Sequence, residues 1–172
     1  WIAANVTLAT TYDAALNAYV FDSTPMTLAA DLELDGCHIV LLGSVLKVKS
    51  TATSAPVLTI SDGGSLKVTL SPDTGAVGTV RAVSSTYGLH MDIQDGTLEI
   101  DGGTLRDVAQ DSATGAALMV GDGATLVMSN SATVFGASAS NSEMATVKVD
   151  GGTVNIADSS IINTGQTRTA LR

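Results

Sequence analysis

Five of the six Asp-Gly dipeptides of this chain recur at a similar spacing, each between two short apolar segments. The copies begin at Asp35, Asp62, Asp95, Asp122 and Asp150. Successive copies are about 27, 33, 27 and 28 residues apart, and a period of roughly 20–50 residues is typical of solenoids and other repeat arrays. Since Asp-Gly favours a tight turn, we expect the chain to turn at the same point of each repeat and to stack one repeat on the next.

The segments on both sides of each turn alternate apolar with small or polar residues, as "VLTIS" and "GSLKVTL" do around Asp62. This alternation is typical of strands that are buried on one face. The residues expected to point inward before the turns are Leu32, Leu34, Leu58, Ile60, Met91, Ile93, Leu118, Val120, Val147 and Val149. Those expected to point inward after the turns are Ile39, Leu41, Leu66, Val68, Leu98, Ile100, Leu126, Met128, Val154 and Ile156. A third short strand is expected around Leu46, Leu105, Val134 and either Ile161 or Ile162.

The repeat is too short for a propeller blade, which takes about 40 residues or more, and it contains no helical segment. Apolar residues make up 45% of the 172 residues but aromatic residues only 3%, so the core must consist of thin layers of aliphatic side chains. We therefore predict an all-β fold. It is a parallel β-helix (β-solenoid) of about six coils, with a period of about 27 residues and about 4.8 Å between coils.

Two phrases of the sequence, "GDGATLVMSNSATVFG" and "VDGGTVNIADSSIINTG", resemble coils of the right-handed parallel β-helix superfamily, the pectate-lyase-like fold. They are similar to the degenerate coils of large cell-surface and adhesin-type proteins. The resemblance runs from about Met26 to Leu171. It implies right-handed coils and a place in a cell-surface or adhesin-type protein.

The first 26 residues fit the repeat poorly. We interpret 1–26 as an N-terminal cap or an incomplete first coil, in which "TYDAALNAYV" forms one or two helical turns. A cap is useful because an uncovered solenoid end exposes strand edges. Residues 27–172 are expected to form the coils, as a segment of a longer chain. The longest interruptions, 71–88, 106–117 and 136–145, are expected to be surface loops and the first place to look for a binding partner.

The turn aspartates Asp35, Asp62, Asp95, Asp122 and Asp150 are the candidate metal ligands. If the coils stack in register, they form a ladder of carboxylates about one strand spacing apart, and like charges so close need compensation. In one interpretation each Asp accepts a hydrogen bond from the backbone N–H two residues on. In the other, Ca²⁺ binds between neighbouring carboxylates and carbonyls, although the calcium-binding nonapeptide of β-rolls is missing.

A polysaccharide-cleaving site is the enzymatic alternative, because pectate-lyase-like enzymes place charged residues on the outer face of one sheet. The outward candidates before the turns are Glu33, His90, Asp92 and Lys148. Glu33 and Asp92 are expected two coils apart, about 9–10 Å, at or beyond the outer limit for an inverting pair. Thr59 and Ser61 on the coil between them do not reinforce a site. We therefore expect no catalytic residues.

Three further features of the sequence, the two histidines, the single cysteine and one glycosylation sequon, do not indicate catalysis or a metal site. His38 and His90 lie on different repeats without a metal-ligand partner at useful spacing, so we expect surface or hydrogen-bonded histidines. Cys37 is the single cysteine and is expected to be a buried, inert thiol. Asn5 begins the glycosylation sequon Asn-Val-Thr, which would suit an extracellular protein.

The net charge of −9 argues against nucleic acid as a partner and against an electrostatic hold on anionic lipid. No membrane-inserted segment is visible in the sequence. We expect an extracellular or cell-surface spacer that self-associates end to end or contacts neighbouring surface proteins, with no cofactor except, in the alternative, calcium. Glycans are the other expected partner. A carbohydrate-binding or polysaccharide-cleaving β-helix, similar to a tail spike or a lyase, is the competing function. An ice-binding solenoid is disfavoured because no matched Thr-x-Thr array is present.

Overall fold

The structure is a computed structural model. It describes residues 11–22, 25–28, 31–48, 57–83, 89–108, 116–136, 145–163 and 169–172. These residues form strands joined by turns, and the part of the chain that is described contains no helix. The all-β prediction is confirmed.

One strand, β1 (Thr11–Asp13), precedes six coils of three strands each. The first coil contains β2 (Ala18–Asp22), β3 (Met26–Leu28) and β4 (Leu32–Asp35), and the second β5 (His38–Leu42), β6 (Val45–Val48) and β7 (Leu58–Ser61). The third contains β8 (Ser65–Thr69), β9 (Thr79–Ala82) and β10 (Met91–Ile93), and the fourth β11 (Thr97–Asp101), β12 (Thr104–Val108) and β13 (Ala116–Val120). The fifth contains β14 (Thr125–Ser129), β15 (Thr133–Gly136) and β16 (Ala145–Val149), and the sixth β17 (Thr153–Ile156), β18 (Ser160–Asn163) and β19 (Thr169–Leu171).

Each strand pairs with the corresponding strand of the next coil, so the rod has three parallel sheets. Sheet 1 has the order β1-β2-β5-β8-β11-β14-β17, sheet 2 the order β3-β6-β9-β12-β15-β18, and sheet 3 the order β4-β7-β10-β13-β16-β19. All of these pairings are parallel except that of β1 with β2. The chain is therefore a parallel β-helix, as the repeat predicts.

The core is a stack of aliphatic layers inside the three sheets. Leu34, Ile60 and Ile93 follow one another in register on sheet 3 and are fully buried. On sheet 1, Leu41 and Val68 do the same. Alternation puts every second side chain of each strand into this core. Because the strands pair in parallel, equivalent aliphatic side chains of successive coils stack on one another.

The third strand is confirmed at three of the four predicted positions. Leu46, Leu105 and Val134 on sheet 2 are fully buried. In the last coil, Ile161 packs against the core while Ile162 is 38% exposed. Ile161 is therefore the inward residue of this strand, a choice that the sequence left open. The expected loop 71–88 was wrong in part, because β9 lies inside it and buries Val80 in the same row.

The N-terminal part of the described chain is a hairpin and not the expected helical turn. β1 and β2 pair antiparallel around the turn 14–17. The Asp13 carboxylate accepts hydrogen bonds from the backbone N–H groups of Ala15 and Leu16, and Asn17 takes the left-handed conformation with φ of 49°. These are the devices of a tight turn. They outweigh the weak helical pattern because β2 also pairs with β5.

Two residues of the last coil that were predicted to point inward are not fully buried. Val154 is only partly buried and Ile156 is 40% exposed, although both pair in register with the core residues of β14. Within the described ranges no strand follows β17 in sheet 1, so these two side chains lack the layer that would cover them. Val149, in the fifth coil, is also only partly buried, because β19 pairs with β16 only as far as Val147.

Among the described residues, no helix is long and apolar enough to cross a membrane.

Candidate functional site

The five turn aspartates do not form one continuous row. Three of them, Asp62, Asp95 and Asp122, each lie two residues beyond a paired core residue of sheet 3, whereas Asp35 and Asp150 lie only one residue beyond. Asp35 is therefore paired with Ser61 and not with Asp62. The turns also differ in length, with three residues between Leu34 and β5, four between Ile60 and β8, and three between Ile93 and β11, so the register of the aspartates changes from turn to turn.

All five aspartates are exposed. In the described part of the chain, none of them accepts the side-chain hydrogen bond expected of an Asp turn, which only Asp13 in the hairpin makes. Nor do three or more His, Cys, Asp or Glu side chains of the described residues cluster as a metal site would require. Calcium at these turns therefore stays a prediction.

The outer face of sheet 3 carries the residues considered for polysaccharide cleavage. Glu33 pairs with Thr59, and Thr59 pairs with Asp92, so the two carboxylates share a row two strand spacings apart, about 9–10 Å. The Asp92 carboxylate accepts a hydrogen bond of 2.9 Å from Gln94 Nε2. Lys148 lies two coils beyond Asp92, with Met119 between them. The row thus holds charged side chains that alternate with uncharged ones.

His90 does not belong to this outer surface, and its expected exposure was wrong. It is 5% exposed, and neither ring nitrogen has a hydrogen-bond partner. By register it lies between Val57 and Ala117, and Thr146 follows Ala117 in the same row. Thr146 is likewise fully buried with an unpartnered hydroxyl. Buried polar atoms without partners are destabilising, so this row is a weak point of the rod.

The outer face of sheet 1 carries a network of side chains that join successive coils. The Lys67 ammonium on β8 lies 2.8 Å from Glu99 Oε1 and 3.8 Å from Asp101 Oδ2 on β11. Asp101 Oδ1 accepts hydrogen bonds from Ser129 Oγ at 3.1 Å and Asn130 Nδ2 at 2.5 Å in the next coil. Each bond links residues about one repeat apart, so the network ties the coils along the rod axis.

The electrostatics of the network centre on Asp101. The hydrogen bond from Asn130 lowers the pKa of the Asp101 carboxyl, helped by the hydrogen bonds from Ser129 and Thr69 and by the charge of Lys67, and partial burial opposes the effect. The sequence contained the signal for this network. Lys67, Glu99 and Asp101 occupy the outward positions of the strands after the turns, and the alternation of those strands predicts that they point outward.

The remaining candidates lie apart from this network. His38 Nδ1 is 2.8 Å from Ser65 Oγ, so His38 is a hydrogen-bonded histidine as expected. Cys37 is only partly buried and packs against the core, and burial raises the pKa of its thiol. Asn5 lies outside the described residues, so its glycosylation stays a prediction.

The last described coil exposes strand edges and aliphatic side chains. Ile156 and Leu171, on the last strands of sheets 1 and 3, are 40% and 42% exposed although they pair with core residues. Ile162, on the outer face of the last strand of sheet 2, is 38% exposed. In the described ranges, no further strand pairs with β17, β18 or β19 on that side. Such edges are templates for pairing with another strand.

Comparison with protein-family models, with curated proteins and with solved structures found no match to this chain.

Proposed function

We propose that this chain is a rigid, non-enzymatic structural or adhesive module of an extracellular or cell-surface protein, built from coils of the right-handed, pectate-lyase-like type. The observation that carries the proposal is the unbroken aliphatic stack from Leu34 to Val147, joined on its outer face by bonds from coil to coil. A rod of six coils is about 29 Å long at the strand spacing of about 4.8 Å. Its mechanical role is to space or display what is attached to it.

The arrangement of the carboxylates supports a role without catalysis. Glu33 and Asp92, the two carboxylates that share a row on sheet 3, lie two strand spacings apart, about 9–10 Å, at or beyond the outer limit for an inverting pair. The acidic surface and the scarcity of lysine support an extracellular location, where proteins meet high ionic strength and calcium.

The exposed strand edges of the last described coil support self-association through that coil. Strand edges and aliphatic side chains exposed together favour strand addition by a second copy. The N-terminal end favours it less, because β1 already pairs with β2 at the edge of sheet 1.

Electron microscopy and light scattering of the purified chain, with Ca²⁺ and with chelator, test the proposal. We expect particles longer than one rod and a mass above that of one chain. The double variant Ile156→Asp and Leu171→Asp should restore the mass of one chain, because it places charges on the last described coil. Leu16→Asp is the matched control, since Leu16 is 56% exposed in the hairpin turn at the other end. Association that chelator abolishes would support calcium at the turns. A monomer at every concentration would refute self-association.

Polysaccharide cleavage is the second candidate, and the observation in its favour is the shared row of Glu33 and Asp92. Incubation with a panel of acidic and neutral polysaccharides, followed by measurement of new reducing ends and of unsaturated products, tests it. Cleavage that Asp92→Asn abolishes would replace the structural proposal with an enzymatic one, and no cleavage is the expected result.

A further inference from the structure

The six Asp-Gly pairs of the chain have backbone amides in two different environments. The Gly36 N–H donates to the Ser61 carbonyl oxygen at 3.1 Å, and the Gly102 N–H donates to the Ser129 carbonyl oxygen at 2.9 Å. In the described part of the chain, the N–H groups of the other four glycines make no hydrogen bond: Gly63, Gly96, Gly123 and Gly151. The contrast is important because the amide nitrogen after an aspartate can attack the side chain of that aspartate.

The free amides follow from the geometry of the turns. The turn that begins at Gly121 is closed by a hydrogen bond of 3.1 Å from the Ala124 N–H to the Gly121 carbonyl oxygen. A four-residue turn of this kind uses the amide of its fourth residue, so the amide of the third residue, Gly123, is left without a partner. The turn before β8 is built in the same way, because the Gly64 N–H donates to the Ser61 carbonyl oxygen at 2.8 Å.

Three of the four free amides belong to exposed glycines: Gly63, Gly123 and Gly151. Their φ values are +71°, +78° and +85°, a conformation that glycine adopts without strain. The aspartate before each of them is exposed as well. Gly96 differs, because it is buried and a Cβ there would overlap the carbonyl oxygen of Gly64. Its turn is therefore packed more tightly than the other three.

We propose that Asp62, Asp122 and Asp150 are sites of spontaneous conversion to isoaspartate, whereas Asp35 and Asp101 are protected. In the first step the glycine nitrogen forms a bond to Cγ of the aspartate, and the proton of the nitrogen and a hydroxyl of the carboxyl leave as water. Water then opens the resulting succinimide ring. Opening at Cγ restores aspartate, whereas opening at the main-chain carbonyl carbon leaves isoaspartate, whose backbone runs through Cβ and Cγ. The net reaction is an isomerisation that needs no other reactant.

The hydrogen bonds of the protected pairs oppose the first step. The glycine nitrogen must lose its proton, and a hydrogen-bonded amide gives up its proton only when the structure opens locally. At Asp101 the carboxylate is held as well, by Ser129 Oγ at 3.1 Å and by Asn130 Nδ2 at 2.5 Å. At Asp95 the amide is free but the glycine is buried, so we expect a rate between those of the two groups.

Isoaspartate at these turns would act on the rod itself. It adds one atom to the backbone of a turn whose two flanking strands are both held in register. At Asp62, for example, β7 pairs with β4 and β10, and β8 pairs with β5 and β11. A longer turn between two fixed strands strains the coil or loosens it. The inference goes beyond the proposed structural role and does not rest on it.

Incubation of the folded chain in water labelled with heavy oxygen tests the proposal. Each passage through the succinimide leaves one labelled oxygen in the carboxyl group that is released. Mass spectrometry of proteolytic peptides, with fragmentation, assigns this label to individual residues. A protease that cleaves before aspartate but not before isoaspartate distinguishes the two products. We expect label to accumulate several-fold faster at Asp62, Asp122 and Asp150 than at Asp35 and Asp101.

The same incubation in urea shows whether the fold sets this difference. Unfolding removes the hydrogen bonds of Gly36 and Gly102, so all six pairs should then react at similar rates. Asp122→Glu is the matched variant, because it keeps the charge but would have to close a larger ring. It should abolish the label at that turn and leave the label at Asp150 unchanged. Circular dichroism confirms that the variant is folded during the incubation.

Three results would overturn the inference. Equal rates at Asp62 and Asp35 in the folded chain would mean that the hydrogen bond of the amide does not govern the reaction. Absence of label at all three proposed sites in the folded chain, with label in urea, would mean that the fold protects every turn. Slow reaction of Asp35 and Asp101 in urea as well would assign the difference to the local sequence. None of these results bears on the mass or the length of the particles that test the structural proposal.

Discussion

The two ends of the rod differ in how completely their apolar side chains are covered. In the first coil, Met26, Leu28 and Leu34 are 2%, 5% and 0% exposed. In the last coil, Ile156 and Leu171 are 40% and 42% exposed. The two coils have the same three-strand plan and similar residues, so the difference does not come from the strands themselves.

The difference teaches that direction and burial are set separately in a β-helix. Alternation and register decide that Leu34 and Ile156 both point toward the rod axis. Burial requires in addition cover along the axis, and among the described residues of sheet 1 only β14 lies beside Ile156. The side-chain bonds on the outer face of sheet 1 show the same difference between the interior and the last coil. They connect β5 with β8, β8 with β11, and β11 with the coil of β14, and in the described residues none reaches β17.

Truncation of one inward side chain in the first coil and one in the last coil should give the largest difference in the free energy of unfolding. Leu34→Ala should lower the free energy of unfolding by about 2–5 kcal/mol, because it leaves a cavity in a fully covered layer. Ile156→Ala should lower it by less than about 1.5 kcal/mol, since much of that side chain is already in water. Urea unfolding followed by circular dichroism measures both. Equal losses would mean that the C-terminal end is covered in solution.

Substitution of turn glycines by alanine extends the comparison of the two ends to the backbone. A Cβ on Gly64 would overlap the carbonyl oxygen of Leu34 in the first coil, so Gly64→Ala should cost about 2–4 kcal/mol. At the other end, Gly151 has a φ of +85° and a Cβ there would lie 3.2 Å from Asp122 Cα. Gly151→Ala should therefore cost about 1–2 kcal/mol, mostly from backbone strain. The same unfolding measurement applies, and a larger loss for Gly151→Ala would contradict the ranking.

Amide hydrogen exchange should show the gradient along the rod directly. The amides of β17 to β19 are expected to exchange through local openings that cost about 1–2 kcal/mol less than those of β7 and β10 in the interior. Mass spectrometry of peptides from the exchanged protein measures the difference strand by strand. The monomeric double variant Ile156→Asp and Leu171→Asp is the control, because self-association would protect the last coil. Uniform protection in that variant would show that the whole rod opens as one unit.

Much of the fold could be predicted from the repeat. The paired strands around each Asp-Gly turn were correct, down to core residues such as Ile60 and Leu98, because a period of two and a fixed turn leave little freedom. The exposure of Ile156 could not be predicted, since alternation contains no information about the next layer. β9 was missed because "TVRA" contains only one strongly apolar residue, Val80, and follows a long turn.

The candidate sites were less predictable than the fold. The turn aspartates were treated as one row, but Asp35 pairs with Ser61 and not with Asp62, and a shift of one residue is invisible in an approximate period. Ion pairs such as that of Lys67 with Glu99 lie 32 positions apart in sequence. They become neighbours only once the length of every coil is known, which explains why the sheet 1 network emerged from the structure.

Acid should produce the smallest change in the free energy of unfolding. It weakens the side-chain bonds that join the interior coils and that, among the described residues, do not reach the last coil. The pKa of Asp101 is lowered in the folded chain, first by the hydrogen bond from Asn130. Its contribution to stability is therefore fully present above the ordinary carboxyl pKa of about 4 and is lost as the pH falls through the lowered value. Because the Asp101 side chain is 26% exposed, we expect this contribution to be only about 0.5–1 kcal/mol.

Unfolding of the wild type and of Asp101→Ala at neutral pH and near pH 3 measures the contribution of Asp101. The difference between the two proteins should be largest at neutral pH and should shrink in acid, because protonation has then already removed the charge that Asn130 and Lys67 engage. Asp95→Ala is the control, since it removes an exposed carboxylate that makes no side-chain hydrogen bond in the described part of the chain. A difference for Asp101→Ala that stays constant with pH would mean that packing around the side chain, and not its charge, joins the coils at this point. The gradient between the interior and the last coil would then rest on the aliphatic layers alone.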